Sequence, residues 1–193
     1  MGYSSFGRLA FMLIILAFVP EVSEGKSRFE TIPSPLRNLN LDKFSGTWYE
    51  IVSTKDPVSK IDPCYCARST FQKLSKSEIS IAKSCRKSVP DLDTTKEGRA
   101  TVADQDVPGA WMISFEKMRA TSKFYVVAVD AAYAHSVVLG HGGASVAIYS
   151  RQPTMDLFVL ASIRGQLVTQ GYDVSALSET LQQGCWEEKE LSQ

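Results

Sequence analysis

The chain has 193 residues, room for one ordinary domain and a leader but short for two. Apolar residues make up 44% of it, which supports a sizeable core and excludes global disorder. Basic and acidic side chains balance at 21 each, so no net field draws the chain to nucleic acid or to an anionic membrane surface.

At the N-terminus Arg8 precedes an unbroken apolar run from Leu9 to Val19, then Pro20 and a polar stretch with Ser23 and Gly25. This is the order of a secretory signal, with cleavage expected after Gly25, so residues 1–25 read as a signal peptide and the mature protein as extracellular. The run is shorter than the ~20 apolar residues a membrane-spanning helix needs, and no transmembrane segment is expected. Loss of Arg8, Glu21 and Glu24 leaves 20 basic and 19 acidic residues, still near neutral. Residues 26–40, with Pro33 and Pro35 and no period, read as an extended N-terminal arm.

Short apolar or alternating runs separated by turn residues follow, the pattern of an all-β barrel or sandwich. The predicted strands are Thr47–Thr54, Cys64–Leu74, Glu78–Arg86, Arg99–Asp104, Ala110–Glu116, Lys123–Asp130, Ala134–Leu139 and Ser145–Arg151. Loop 55–63, with Lys55, Asp56, Pro57 and Pro63, is the natural lid. The basic run Lys83–Lys87 is most simply a solvated strand end. In the fifth strand Trp111, Ile113 and Phe115 alternate with Met112, Ser114 and Glu116, which makes one face strongly apolar. Phe124–Val129 is apolar at every position and should be covered on both sides. His141-Gly142-Gly143 reads as a hairpin turn. The period then changes: Met155, Val159, Ile163 and Leu167, with Phe158 beside them, follow helical spacing over 154–170, with Thr154 to cap the start and Gly171 the end. That helix must bury its stripe against the outside of the β-structure.

Four cysteines in a secreted chain argue for two disulfides. A zinc site at Cys64-x-Cys66 is disfavoured, because the spacing is tighter than usual and no histidine lies nearby. If Cys66 and Cys85 face each other across the second hairpin, the turn centres on Ser75-Lys76, inside a polar stretch where a turn is expected independently. Directly opposed Cβ atoms suit a disulfide, so Cys66 is paired with Cys85, which leaves Cys64 for Cys185.

Three segments now stand in a recognisable order. Leu41-Asp42-Lys43-Phe44-Ser45-Gly46-Thr47-Trp48-Tyr49-Glu50-Ile51 resembles the helical turn and G-x-W strand of the lipocalins. Val129-Asp130-Ala131-Ala132-Tyr133 is similar to the family's turn after strand six, with Val in place of Thr, and Tyr149-Ser150-Arg151-Gln152-Pro153 resembles its arginine motif. The resemblance covers residues 41–185, leaves 186–193 as a C-terminal tail, and is closest to the apolipoprotein D group with bacterial outer-membrane and plant temperature-induced lipocalins. It implies an eight-stranded antiparallel up-and-down barrel with one C-terminal helix packed outside. Gly46, Trp48, Asp130, Tyr133 and Arg151 would be structural, with Trp48 plugging one end and Arg151 stacked upon it. In that group a cysteine at the start of strand two is tied to the C-terminal segment, which matches Cys64 and Cys185.

A barrel of this size has room for one small molecule. Alternation turns Trp111, Ile113 and Phe115 inward; the parity of Arg151 does the same for Ala147 and Tyr149; alignment with the family places Tyr125 and Val127 inward. Strand two leaves Phe71 and Thr70 as alternatives. The expected lining is apolar, with the phenols of Tyr125 and Tyr149 as its polar handles, for a small hydrophobic ligand such as a fatty acid, sterol, retinoid or carotenoid. No cofactor, metal or catalytic residue is expected. An isomerase using Cys66 as a thiol and a haem or pigment carrier using His135 or His141, both expected at the surface, are the alternatives. A cell-surface receptor or a homodimer partner is left open.

Overall fold

Asn40 organises the closed end of the molecule. Its side-chain oxygen accepts from the amides of Asp42 and Lys43 at 3.0 and 3.1 Å and caps a single helical turn, α1 (Leu41–Phe44). In this computed structural model residues 34–54, 64–89, 91–116 and 121–186 are described; the predicted signal peptide and the proposed lid 55–63 lie outside them.

After α1 come β1 (Gly46–Thr54), β2 (Tyr65–Lys73), β3 (Glu78–Arg86), β4 (Thr94–Val102), β5 (Ala110–Phe115), β6 (Ser122–Val129), β7 (His135–Gly140) and β8 (Ser145–Ser150). Each pairs antiparallel with the next, and β1 joins both β8 and β2, so the eight strands close into a barrel. The helix α2 (Leu157–Thr169) lies outside it, and a short strand, β9 (Leu177–Glu179), follows. The fourth strand begins five residues before its predicted start: β4 pairs with β3 from Glu78↔Thr101 to Cys85↔Thr94. Its first half, Thr94–Glu97, is polar on both faces because it ends in solvent, so it carries no hydrophobic alternation.

Inward and outward faces build two separate cores. Inside, Phe44, Trp48, Phe71, Ile79, Ile81, Ala100, Trp111, Ile113, Phe124, Val126, Val138 and Tyr149 form one cluster. Outside, Val52, Val137, Leu139, Val146 and Ile148 meet Leu160 and Leu167 of α2 and Tyr172. Phe71 is the inward residue of β2, while Thr70 is exposed and its hydroxyl meets that of Thr47. The arm residue Leu36 bonds through its backbone to Val126 and Gly109, and a Cβ on Gly109 would stand 2.7 Å from the Leu36 nitrogen, so only glycine fits.

The helix departs from its prediction at the start. Residues 154–156 stay extended after Pro153, and Asp156, not Thr154, is the cap, accepting from the amides of Phe158 and Val159. The buried stripe is Leu160 and Leu167 with Ile163 packed beside them, each of the two leucines contributing about 1.5–3 kcal/mol. Phe158 is 85% exposed. Leu157-Phe158-Val159-Leu160 is apolar around the whole turn, so spacing alone does not choose a face there.

Both disulfides differ from the expected pairs: Cys64 joins Cys85, and Cys66 joins Cys185. A β-bulge is the reason. The β2–β3 register runs from Lys73↔Ile79 to Arg68↔Ser84 and then shifts to Tyr65↔Arg86, so Cys66 and Ala67 together oppose Cys85. Cys66 takes a left-handed φ of 56° at the bulge and is completely buried. Its partner therefore comes from the C-terminal segment, and Cys64 is left to meet Cys85. A strand-two cysteine is still tied to the C-terminus, but two residues further along than expected.

That C-terminal segment inserts into the wall. Beyond Tyr49, β1 no longer pairs with β2; β9 takes the vacated edge, with Val52↔Glu179, Ser53↔Ser178 and Thr54↔Leu177. The Gln182 amide spans the same gap, donating to the carbonyls of Glu50 and Ala67 at 2.8 Å each, and the Cys66 amide donates to Leu181.

Candidate functional site

One end of the barrel is shut by Arg151. Its guanidinium lies 3.8 Å from the centroid of the Trp48 ring and donates to the carbonyls of Thr47 (2.8 Å), Lys43 (2.7 Å), Phe44 (3.2 Å), Ser45 (2.9 Å) and Tyr133 (3.3 Å). Partial burial lowers its pKa to about 10, which leaves it a cation at neutral pH. Gly46 crosses beneath with φ +104°, and a Cβ there would meet Arg151 Nη1 at 3.1 Å. The Trp48 indole donates to Phe44 O at 2.8 Å, and the side chain is fully buried. The turn after β6 locks against this plug: the Asp130 carboxylate accepts from the amides of Ala132 and His135, and the Tyr133 hydroxyl accepts from the Asn40 amide at 2.9 Å.

Above the plug the barrel is filled with rings. Phe44 packs on Trp48 and Phe71, and Trp111 stacks on Phe124 with centroids 5.4 Å apart. The upper half is hollow, with a cavity of about 510 Å³ that opens away from Arg151. Its apolar surface comes from Ile113, Phe115, Phe124, Val138 and Ala147; its wall includes Ser178–Leu181, the segment that β9 carries. Tyr149 stands at the floor, fully buried, its hydroxyl 3.3 Å from Ser69 Oγ. Burial pushes that phenol's pKa up, with Glu50 adding to the effect and Lys83 opposing it, so it remains a neutral hydroxyl.

Of the residues expected around a ligand, Ile113, Phe115, Ala147 and Tyr149 border this cavity. Trp111 shares the face of Ile113 but lies one layer deeper, 1% exposed, as part of the aromatic fill. Tyr125 and Val127 point the other way, into the outer cluster under α2. The register explains this correction: Trp111 directly opposes Phe124, and opposed residues share a face, so Phe124 and Val126 are inward. Val127 then sits at a bulge between Val126↔Val138 and Ala128↔Val137.

The rim is more polar than expected. Glu50, Arg68, Lys83, Lys96, Lys123 and His141 all border the cavity. Lys83 is therefore no solvated strand end, and His141, predicted at the surface, faces the rim with Nδ1 3.2 Å from Ser122 Oγ. Lys83 was legible from alternation, since it follows Ile79 and Ile81 on one face; β9, three residues with no period, was not. Among the described residues no group of three or more His, Cys, Asp and Glu side chains is placed to hold a metal ion, and no helix is long and apolar enough to cross a membrane.

No curated protein matches the chain by sequence. Solved structures do share its fold. Insecticyanin from the tobacco hornworm Manduca sexta is 15% identical, with a TM-score of 0.62 over 83% of this chain and 88% of that one. The cockroach allergen Per a 4 is 17% identical, with a TM-score of 0.61 over 82% and 98%. Lobster apocrustacyanin A1 is 14% identical, with a TM-score of 0.59 over 78% and 90%. The family model described as a lipocalin-like domain matches residues 39–182, the same span that holds the plug, the barrel and the cavity, and the chain therefore belongs to the lipocalin family.

Proposed function

We propose that this protein is a secreted carrier that takes up one small hydrophobic ligand, of the fatty acid, sterol, retinoid or carotenoid kind, in the upper half of its barrel. The observation that carries this reading is the cup itself: a cavity of about 510 Å³ with an apolar floor, shut below by Trp48 and Arg151 and open above. Burial of apolar ligand surface at roughly 25 cal/mol per Å² supplies affinity without directional contacts, so selectivity for the ligand body is loose. Ile113, Phe115, Ala147 and Tyr149 are the contacts inherited from the sequence reading, to which Phe124 and Val138 are added.

Secretion rests on the leader-like run Leu9–Val19 and on two disulfides, which persist in oxidising compartments. Within the family, the resemblance over residues 41–185 is read as closest to the apolipoprotein D group. The role is binding, not catalysis. An isomerase working through Cys66 needs a thiolate, and all four cysteines are joined in disulfides.

Fluorescence titration of the oxidised protein with a polyene fatty acid, read by energy transfer from its tryptophans, tests this. One site per chain, competed by non-fluorescent lipids, is expected. Absence of saturable uptake for acids, alcohols and esters alike would overturn the carrier reading.

A further inference from the structure

The floor of the cavity holds two hydroxyls that cannot fully satisfy each other. Tyr149 of β8 and Ser69 of β2 flank β1, where Glu50 is the ladder partner of Tyr149 and Trp48 that of Ser69. Opposed residues share a face, so both side chains turn inward, and the phenol reaches across β1 to bring the two oxygens within 3.3 Å. The two residues are 1% and 2% exposed, and both border the cavity. Each hydroxyl carries one O–H proton. The bond between them uses one of the two, whichever oxygen donates, and the other proton is left over. Among the described residues no second hydrogen bond reaches either hydroxyl. A third inward hydroxyl, Ser136 of β7, directly opposes Tyr149 and is also buried without a partner, but it does not border the cavity.

A buried donor with no acceptor has lost its hydration and gained nothing in exchange, so such groups are rare in folded proteins. Spare lone pairs are tolerated better than spare protons, and what this floor lacks is therefore an acceptor. Because the pair stands on a cavity wall, that acceptor can arrive with the guest. Its charge state follows from the surroundings. Glu50 and Lys83 act on the phenol with opposite signs, so neither sign of ion is singled out at the floor. An ion would also give up its hydration there for the dipoles of two hydroxyls, a poor exchange, whereas a neutral oxygen gives up far less.

We propose that Tyr149 and Ser69 form a floor subsite that donates one hydrogen bond to a neutral carbonyl oxygen, so that the ligand is a ketone or ester that enters carbonyl end first. This deepens the carrier reading and rests on it. The apolar body then lies along Ile113, Phe115 and Val138, above the pair. Either hydroxyl can face the guest while accepting from the other. Loss of one still leaves an O–H on the floor, and only loss of both empties the subsite.

The test compares 2-undecanone with dodecane, a ketone and an alkane of equal heavy-atom count, each as a competitor of diphenylhexatriene, a polyene hydrocarbon with no acceptor of its own. The Tyr149→Phe/Ser69→Ala variant removes both hydroxyls and keeps nearly the same shape, with near-UV circular dichroism confirming the fold. In it the ketone should weaken about tenfold relative to the alkane. The infrared carbonyl stretch of isotope-labelled ketone bound to the wild type should lie below its position in hexane, as a hydrogen-bonded carbonyl requires. An unchanged ketone-to-alkane ratio in the double variant, or a wild-type stretch as high as in hexane, would overturn the subsite and leave the carrier standing; trapped water or nothing would then meet the hydroxyl. If neither the probe nor either competitor binds, the carrier reading falls first and the subsite with it.

Discussion

Replacing Arg151 by alanine removes a cation from a ring of five carbonyl oxygens and from the face of Trp48. A hydrogen bond from a charged donor contributes about 1.5–3 kcal/mol, but these five share one guanidinium at a half-exposed site, and water can reach some of the freed carbonyls. Counting two of them as effectively lost at the lower end, about 1.5 kcal/mol each, with about 0.5–1 kcal/mol for the cation–π contact, gives a loss of roughly 3.5–4 kcal/mol. For a domain of this size that is a fall in melting temperature of about 10 °C. Arg151→Lys keeps a charge near the ring but has no planar fork to span carbonyls from α1, β1 and the turn after β6, so it should restore about 1 kcal/mol. Urea unfolding, read as the shift in midpoint at constant slope, measures both. A loss below about 1 kcal/mol for Arg151→Ala, or full rescue by lysine, would refute the view that this side chain fastens the closed end.

Three further outcomes are expected. Removing the long-range disulfide by Cys66→Ala/Cys185→Ala should cost about 5 kcal/mol in the chain-entropy model, against about 3 kcal/mol for Cys64→Ala/Cys85→Ala, because the closed loops differ in length (sequence separations 119 and 21); a non-reducing digest cut after Tyr65 should yield those two linked pairs, and a Cys66–Cys85 peptide would contradict the bulge. Ala147→Phe should fill the cavity and abolish probe uptake, whereas Tyr125→Phe, on the outer face, should leave it within about twofold; equal effects would reverse the facing of β6. Slight burial tends to raise the pKa of Asp130, but bonds from the His135, Ala132 and Ala134 amides and the nearby His135 imidazole outweigh it and hold the carboxyl below its usual range. A carboxyl lowered in the folded state stabilises above its unfolded pKa and loses that contribution as acid protonates it, so the stability gap between wild type and Asp130→Asn should be largest at neutral pH and close in acid. A gap independent of pH would exclude this linkage.

The barrel was readable because its signals are local. Alternation in Trp111–Phe115, the polar turns and the three motif segments each need only a few neighbouring residues, and they place Trp48 beside Arg151 without any long-range information. What escaped depended on register or on both faces at once. Ser122–Val129 is buried on one side by the inner rings and on the other by α2, so its apolar run has no period, and the inward set could come only from the Trp111↔Phe124 pairing. The disulfides turned on a single extra residue at Cys66, which no pattern in the sequence announces. The lysine at position 83 continues the alternation from Ile79 and Ile81, but the basic run that follows it masks that signal.

These misreadings share a direction, and it bears on what the cup can hold. An inward Tyr125 and Val127 would have brought a second phenol into the cavity; in their place stand Phe124 and Val126, whose packing with Trp111 and Phe71 fills the lower half. The hollow part of the barrel is therefore bordered by Ile113 and Val138, with charged and polar groups around its rim. The same rim is closed on one side by residues 178–181, held in the wall by the β1–β9 ladder, the Cys66–Cys185 disulfide and the Gln182 bridge from β1 to β2. Floor and rim thus come from different parts of the chain. The floor is built from consecutive hairpins, while the rim is completed by a segment tied to β2 through a disulfide with a sequence separation of 119.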